Sequence, residues 1–334
     1  MSAAPSLTEA VEPIEAGAHA IHAAWLGDRA AFALADGAVL LAGKGEPVRV
    51  PAHPEGAVLA AAADARRLVT GGDDGAVVEV TADGRARPLR EAGGAWIDAV
   101  ALHPGGTVAW SAGRKVVVRD EKGRERTLDA PSTARGLAFA PKGTRLAVSH
   151  YNGVTLWFPN LDTPPEFLEW KGSHIDVAWS PDGRFVVSSM QENALHGWRL
   201  LPDRAHMRMT GYPAKTRSLS WSHDEAWLAT SGAEAAILWP FGSREGPMGK
   251  APRECGVRPA RVTQVACHPK ALVLAAGYED GCILLVRLTD NSELMLRRPT
   301  DKADAVTALA WDRAGRRLLF GTAGGAAGLA TLPA

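Results

Sequence analysis

Net charge is the first thing this sequence lacks: 37 Lys and Arg are balanced by 37 Asp and Glu. That removes the strong global field that non-specific binding to nucleic acid or to an anionic membrane requires, so neither partner is expected. Cysteine is nearly absent as well. Three cysteines cannot all pair, and they lack the dense, even spacing of a disulfide framework, so a reducing, cytoplasmic setting is expected. No apolar run approaches the roughly 18 residues of a membrane span, and the N-terminal MSAAPSLTEAVEPIEAG has no basic region followed by an apolar core. A soluble protein without a membrane partner follows. No stretch holds a helical period over several turns. A Gly-rich phosphate loop, a nucleophile elbow and a metal-binding helix motif are all missing, which argues against an enzyme and against any cofactor.

What the chain does have is punctuation: 35 glycines and 22 prolines separate short apolar runs. These runs recur. Segments ending at Trp25, Ala61, Leu102, Phe139, Trp179, Trp221, Cys267 and Trp311 are spaced by 36, 41, 37, 40, 42, 46 and 44 residues. That period suits a four-stranded blade. Two residues before each anchor stands an apolar side chain: Ala23, Leu59, Val100, Leu137, Val177, Leu219, Val265 and Leu309. Directly before it stands a small one: Ala24, Ala60, Ala101, Ala138, Ala178, Ser220, Ala266 and Ala310. In a strand these columns face opposite ways, so one face carries bulk and the other leaves room for a neighbouring sheet.

A second apolar run follows each anchor, as in RRLVTGG, RFVVSSM and LVLAAGY, and an Asp-Gly, Asn-Gly or Gly-Gly turn precedes a third in DDGAVVEV, YNGVTLWF and EDGCILLV. Third strands of the middle units end at Trp157, Trp198 and Trp239, and RARPLR, RERTLD and EFLEW fit a weaker fourth. In this pattern the chain resembles the WD-repeat β-propeller family over nearly all its length. The resemblance implies an all-β propeller of four-stranded blades, eight by this count, with seven as the alternative if the diverged first or second unit is discarded. The family's Trp-Asp ending is mostly replaced: Phe158 follows Trp157, Arg199 follows Trp198 and Pro240 follows Trp239. Its Gly-His start survives best at Gly172-Ser173-His174, so the buried His–Asp network of the family is expected in few blades.

The eighth unit stops at Leu332 after three strands. The expectation is therefore one propeller domain over 1–334, with residues 1–16 supplying the missing outer strand; Pro13 suits an outermost edge. His103-Pro104 and His268-Pro269 fall at the turn after the first strand, and Cys267 in the anchor column reads as a core filler rather than a metal ligand.

By the resemblance, loops entering the first strand share a face with those between the second and third. The entry column reads His19, Glu55, Trp96, Thr133, Ser173, Lys215, Arg261 and Ala305, with Arg135 and Arg217 two residues on. The other ring includes His150, Tyr151, Met190, Gln191 and Tyr278. Because Trp, Tyr, Met and Arg are enriched in interface cores, Trp96, Arg135, His150, Tyr151, His174, Met190, Gln191, Arg217 and Tyr278 are the candidate protein-binding residues. The expected function is a non-enzymatic interaction module, monomeric on its own, that holds a protein or peptide there. An enzymatic or small-ligand propeller using His150, Tyr151 and His174 in a central pocket is the alternative. Nucleic-acid binding through the five basic residues of Arg244–Arg261 is a third, disfavoured by neutral charge.

Overall fold

The computed structural model describes residues 6–43, 45–300 and 304–333, and within them every element but one 3-10 turn is a β-strand. The first five residues of the expected closing segment and Ala334 lie outside the described residues. The strands form seven continuous antiparallel sheets, six of four strands and one of six. A four-stranded sheet such as Ala20–Leu26, Arg29–Leu34, Ala38–Ala42 and Val48–Pro51 is a meander from the inner strand outward.

The six-stranded sheet joins the fourth and fifth repeat units. Strand Leu146–Trp157 bends at Asn152 (φ 69°) and Gly153 (φ 148°), so its first half pairs with Gly136–Phe139 and its second half with Glu166–Glu169. Strand Glu166–Trp179 then continues without a break, pairing with the fourth unit at its start and with Phe185–Met190 at its end. Seven sheets therefore carry eight four-strand units. The lower count arises from this fusion and not, as the sequence suggested, from loss of the first or second unit.

Eight apolar clusters lie between neighbouring units, one at each junction around the ring. The anchor and small columns explain them. Each anchor faces the preceding unit and each small residue faces the next. Trp179 Nε1 donates to the Ala138 carbonyl at 3.0 Å, Trp311 to Ala266 at 3.0 Å and Trp25 to Ala310 at 3.1 Å. A bulky indole thus covers the backbone that a small side chain leaves open. Gly136 shows how close the approach is: a Cβ there would stand 2.6 Å from Asp176 Cα of the next unit.

One register is corrected. In the second unit Ala63 pairs with Leu68, as Trp179 pairs with Val186 and Cys267 with Leu274, so the anchor is Ala63 rather than Ala61. Leu59 is displaced because it sits in a bulge between Val58 and Ala60. A two-residue slip keeps every side chain on its face, so the alternation in the sequence gave no warning.

At the ends, Val11–Glu15 pairs antiparallel with Ala326–Thr331, from Val11 opposite Ala330 to Glu15 opposite Ala326. Upstream, the Leu7 N–H donates to the Met295 carbonyl at 2.8 Å, so the segment also meets the outer strand of the seventh unit.

Candidate functional site

The loops that enter each inner strand meet the turns between second and third strands on one face of the ring. Trp96 stands on the loop into the third unit, 65% exposed, while its neighbour Ile97 is buried against Gly71, whose missing Cβ makes the room. Alternation at this loop end sends the indole outward. Two residues on, Asp98 lies 3.4 Å from Arg135 Nη1 of the fourth unit. Tyr151, 52% exposed, is fixed by its backbone N–H, which donates to Ser132 Oγ at 2.8 Å. Arg135, Tyr151, His174 and Gln191 border one hollow of about 330 Å³ together with Ser132 and Ser173. A second hollow, about 480 Å³, opens further round the same face, where Lys215, Arg217 and Arg261 face Glu279.

Five of the nine predicted residues therefore present side chains on this face: Arg135, Tyr151 and Gln191 around the first hollow, Trp96 on the loop into the third unit, and Arg217 at the second hollow. Four do not. His150 is fully buried, with Nδ1 on its neighbour's carbonyl at 2.9 Å and Nε2 on Thr155 Oγ1 at 2.8 Å. His174 is also buried and spends both nitrogens internally, on Ser188 Oγ at 2.7 Å and the Trp170 carbonyl at 2.9 Å, so it touches the hollow only as its floor. Burial holds both imidazoles below their ordinary pKa. Met190 packs onto Gly172, where a Cβ would meet its methyl at 2.4 Å. Tyr278 is buried with its hydroxyl donating to the Gly256 carbonyl, and Arg258 covers its ring at 5.2 Å. A strand's last residues alternate between core and loop face, and the sequence columns placed these four one step too far out.

The other candidates resolve into structure. His103 Nδ1 accepts from the Gly105 N–H at 3.0 Å, and His268 Nδ1 from Lys270 and Ala271 while its Nε2 reaches the Gly315 carbonyl at 2.8 Å; both are turn residues. The Cys267 N–H donates to Ser220 Oγ at 2.9 Å within the junction of the sixth and seventh units. Burial pushes its thiol up to about 12. In the basic run Arg244–Arg261, Arg258 pairs with Asp280 at 2.7 Å and Arg261 with Glu279 at 2.9 Å, while Arg253 bonds the Leu288 carbonyl at 2.9 Å, so two of its five cations are already ion-paired.

The sequence missed one buried network. His53 Nδ1 lies 3.0 Å from Asp74 Oδ1 and its Nε2 2.8 Å from Thr70 Oγ1, locking the loop into the second unit. The Asp74 and Thr70 of LVTGGDDG were visible, but His53 precedes Pro54 and follows no glycine.

No family model matches the chain. Among curated relatives it is 32% identical over 152 residues to WD repeat-containing protein 1-B of Xenopus laevis, covering 42% of this chain and 25% of that protein. It is 25% identical over 204 residues to Cell division cycle 20.1, cofactor of APC complex, of Arabidopsis thaliana, covering 56% of this chain and 42% of that protein. The chain thus spans a quarter to under half the length of these relatives. Among solved structures, the computationally designed Ika8 protein superposes with a TM-score of 0.78 at 18% identity, over 95% of this chain and 98% of that one. A chain of the Mitotic Checkpoint Complex gives 0.65 at 16% identity, over 80% and 88%. These two likenesses concern the fold. Repeat columns and ring architecture agree: the chain is an all-β propeller of four-stranded units, and the curated relatives it is similar to include WD repeat-containing proteins.

Proposed function

We propose that this propeller is a non-enzymatic, cytoplasmic interaction module that holds a protein or peptide on its loop-rich face, around Trp96 and Tyr151. The fold and its WD-repeat relatives support an interaction scaffold in general terms. One observation carries the finer reading: the two most exposed large aromatics among the described residues belong to adjacent units on one face, with Arg135 bordering the same hollow as Tyr151 and reaching Asp98 of the Trp96 loop. Aromatic and arginine side chains of this kind are the usual anchors of an interface. A central catalytic pocket has less support, because His150 and His174 are committed to internal hydrogen bonds. The test is affinity purification with the intact protein and with a Trp96→Ala, Tyr151→Ala double variant. Loss of more than about 2 kcal/mol of binding, roughly thirtyfold, with unchanged thermal unfolding is the expected result. Equal recovery of every partner by a folded double variant removes this patch.

A further inference from the structure

The opposite face carries a groove that the reading above does not use. It lies between the fourth and fifth units, at the fused sheet, and encloses about 610 Å³. Its walls are Phe158, Trp179 and Leu200, and its rim holds Leu201, which at 79% is the most exposed large apolar side chain among the described residues. Leu161, half exposed, belongs to the corresponding turn of the fourth unit, so two leucines stand in water on neighbouring turns of this face.

The groove is also basic. Arg145 lies across it, its guanidinium 5.1 Å from the Phe158 ring and 5.9 Å from the Trp179 ring. One carboxylate, Glu166, serves both Arg145 and Arg204, the latter at 2.8 Å. Arg184 is matched by Asp182, and Lys142 has no ion pair among the described residues. The four cations thus face two acids. Arg145 Nε is buried and has no hydrogen-bond partner, although its Nη2 bonds Glu166.

We propose that this groove docks a segment of a partner protein in which an acidic side chain neighbours aliphatic or aromatic ones, the carboxylate seated on Lys142 beside the Arg145 guanidinium and the apolar side chain against Leu201 and Phe158. Charge complementarity calls for the acid, and the apolar walls call for its neighbour. The protruding leucines point to a protein rather than a small molecule, since a small ligand in the groove would leave them in water.

The probe is a displayed library of random twelve-residue peptides selected on the immobilised protein, with selected peptides then measured in solution. Enrichment of sequences pairing Asp or Glu with Leu, Ile or Phe is expected. Their affinity should fall tenfold or more in Leu201→Asp and in Lys142→Glu, both exposed changes checked for unchanged thermal unfolding, and should weaken with added salt. It should not change in the Trp96→Ala, Tyr151→Ala variant, which separates this groove from the other face. No enrichment, enrichment of peptides without acids, or affinities indifferent to Leu201→Asp and Lys142→Glu would each overturn the proposal. Stabilisation by a small aromatic carboxylate without peptide enrichment would overturn it in favour of a small ligand, and self-association abolished by Leu201→Asp in favour of a second copy.

Discussion

Single side chains decide how this ring responds to crowding and to acid. Ala178 occupies the small column that faces the next unit, and enlarging it intrudes on a junction already filled by neighbouring side chains. Ala178→Leu should therefore lower stability by about 1–3 kcal/mol, read as a lower urea midpoint. An unchanged midpoint would mean the column faces space. His196 is the acid-sensitive residue. Its ring stacks on Trp170 at 4.0 Å, is fully buried, and has neither nitrogen hydrogen-bonded. Burial first, then the neighbouring His206, His174 and Arg208, depresses its pKa to about 3. Because the folded form binds the proton less well than the unfolded chain, its contribution is intact above pH 6.5 and is lost as pH falls toward 3. His22, held by burial at about 4, acts in the same direction. Asp176, raised by burial to about 6, acts oppositely, its cost easing as pH falls below 6. Two histidines outweigh one acid, so the thermal midpoint should drop between pH 6.5 and 4. His196→Phe keeps the stack and loses no hydrogen bond, and should flatten that drop by roughly 2–3 kcal/mol at pH 4. Parallel midpoint curves for the two proteins would show that His196 does not titrate this way.

At the scale of strands, the segment Val11–Glu15 covers the edge of Ala326–Thr331, and Leu7 reaches the seventh unit through Met295. Removing residues 1–16 uncovers a row of backbone donors and acceptors, so the truncated chain should melt lower or self-associate in sedimentation. An identical midpoint and monomer fraction would show that the strand is dispensable. How much of this was legible follows from what each element repeats. Inner strands could be read because anchor and small columns recur in every unit, and second and third strands because a glycine turn separates them. The fused sheet could not, because it arises where Glu166–Trp179 runs unbroken from the fourth unit into the fifth, which leaves the repeat spacing intact. Burial at strand ends was equally hidden: Met190 and Tyr278 look like loop residues until Gly172 and the Gly256 carbonyl, distant in sequence, are seen to receive them. The groove on the opposite face was not legible because most of its residues, Trp179 apart, lie in or beside turns, which vary among units and so form no column.

For the whole ring, closure is only as strong as its weakest junction, and the indole hydrogen bonds single that junction out. Trp25, Trp179 and Trp311 each donate to the preceding unit, whereas Trp221 Nε1, in the same column, is buried without an acceptor. Ser189 and Thr216, on the fifth unit and on the loop into the sixth, also hold buried hydroxyls without partners. Apolar packing at this junction is substantial, with Phe241 set edge-on to both Trp221 and Phe185 at 4.8 and 5.2 Å, and Arg199 pairs with Glu245 across it, so the deficit is confined to the buried donors of Trp221, Ser189 and Thr216. Removing a donor that has no acceptor should cost little, while removing one that is paired also strands a carbonyl. Trp221→Phe is thus expected to shift stability by less than about 0.5 kcal/mol, and Trp179→Phe to lose at least about 1 kcal/mol in urea unfolding. In hydrogen exchange of the unmodified protein, amides of Leu219–Trp221 should open ahead of those in Val306–Trp311, whose junctions are bonded on both sides. Equal losses in the two variants, together with uniform exchange around the ring, would mean that the orphaned indole marks no seam.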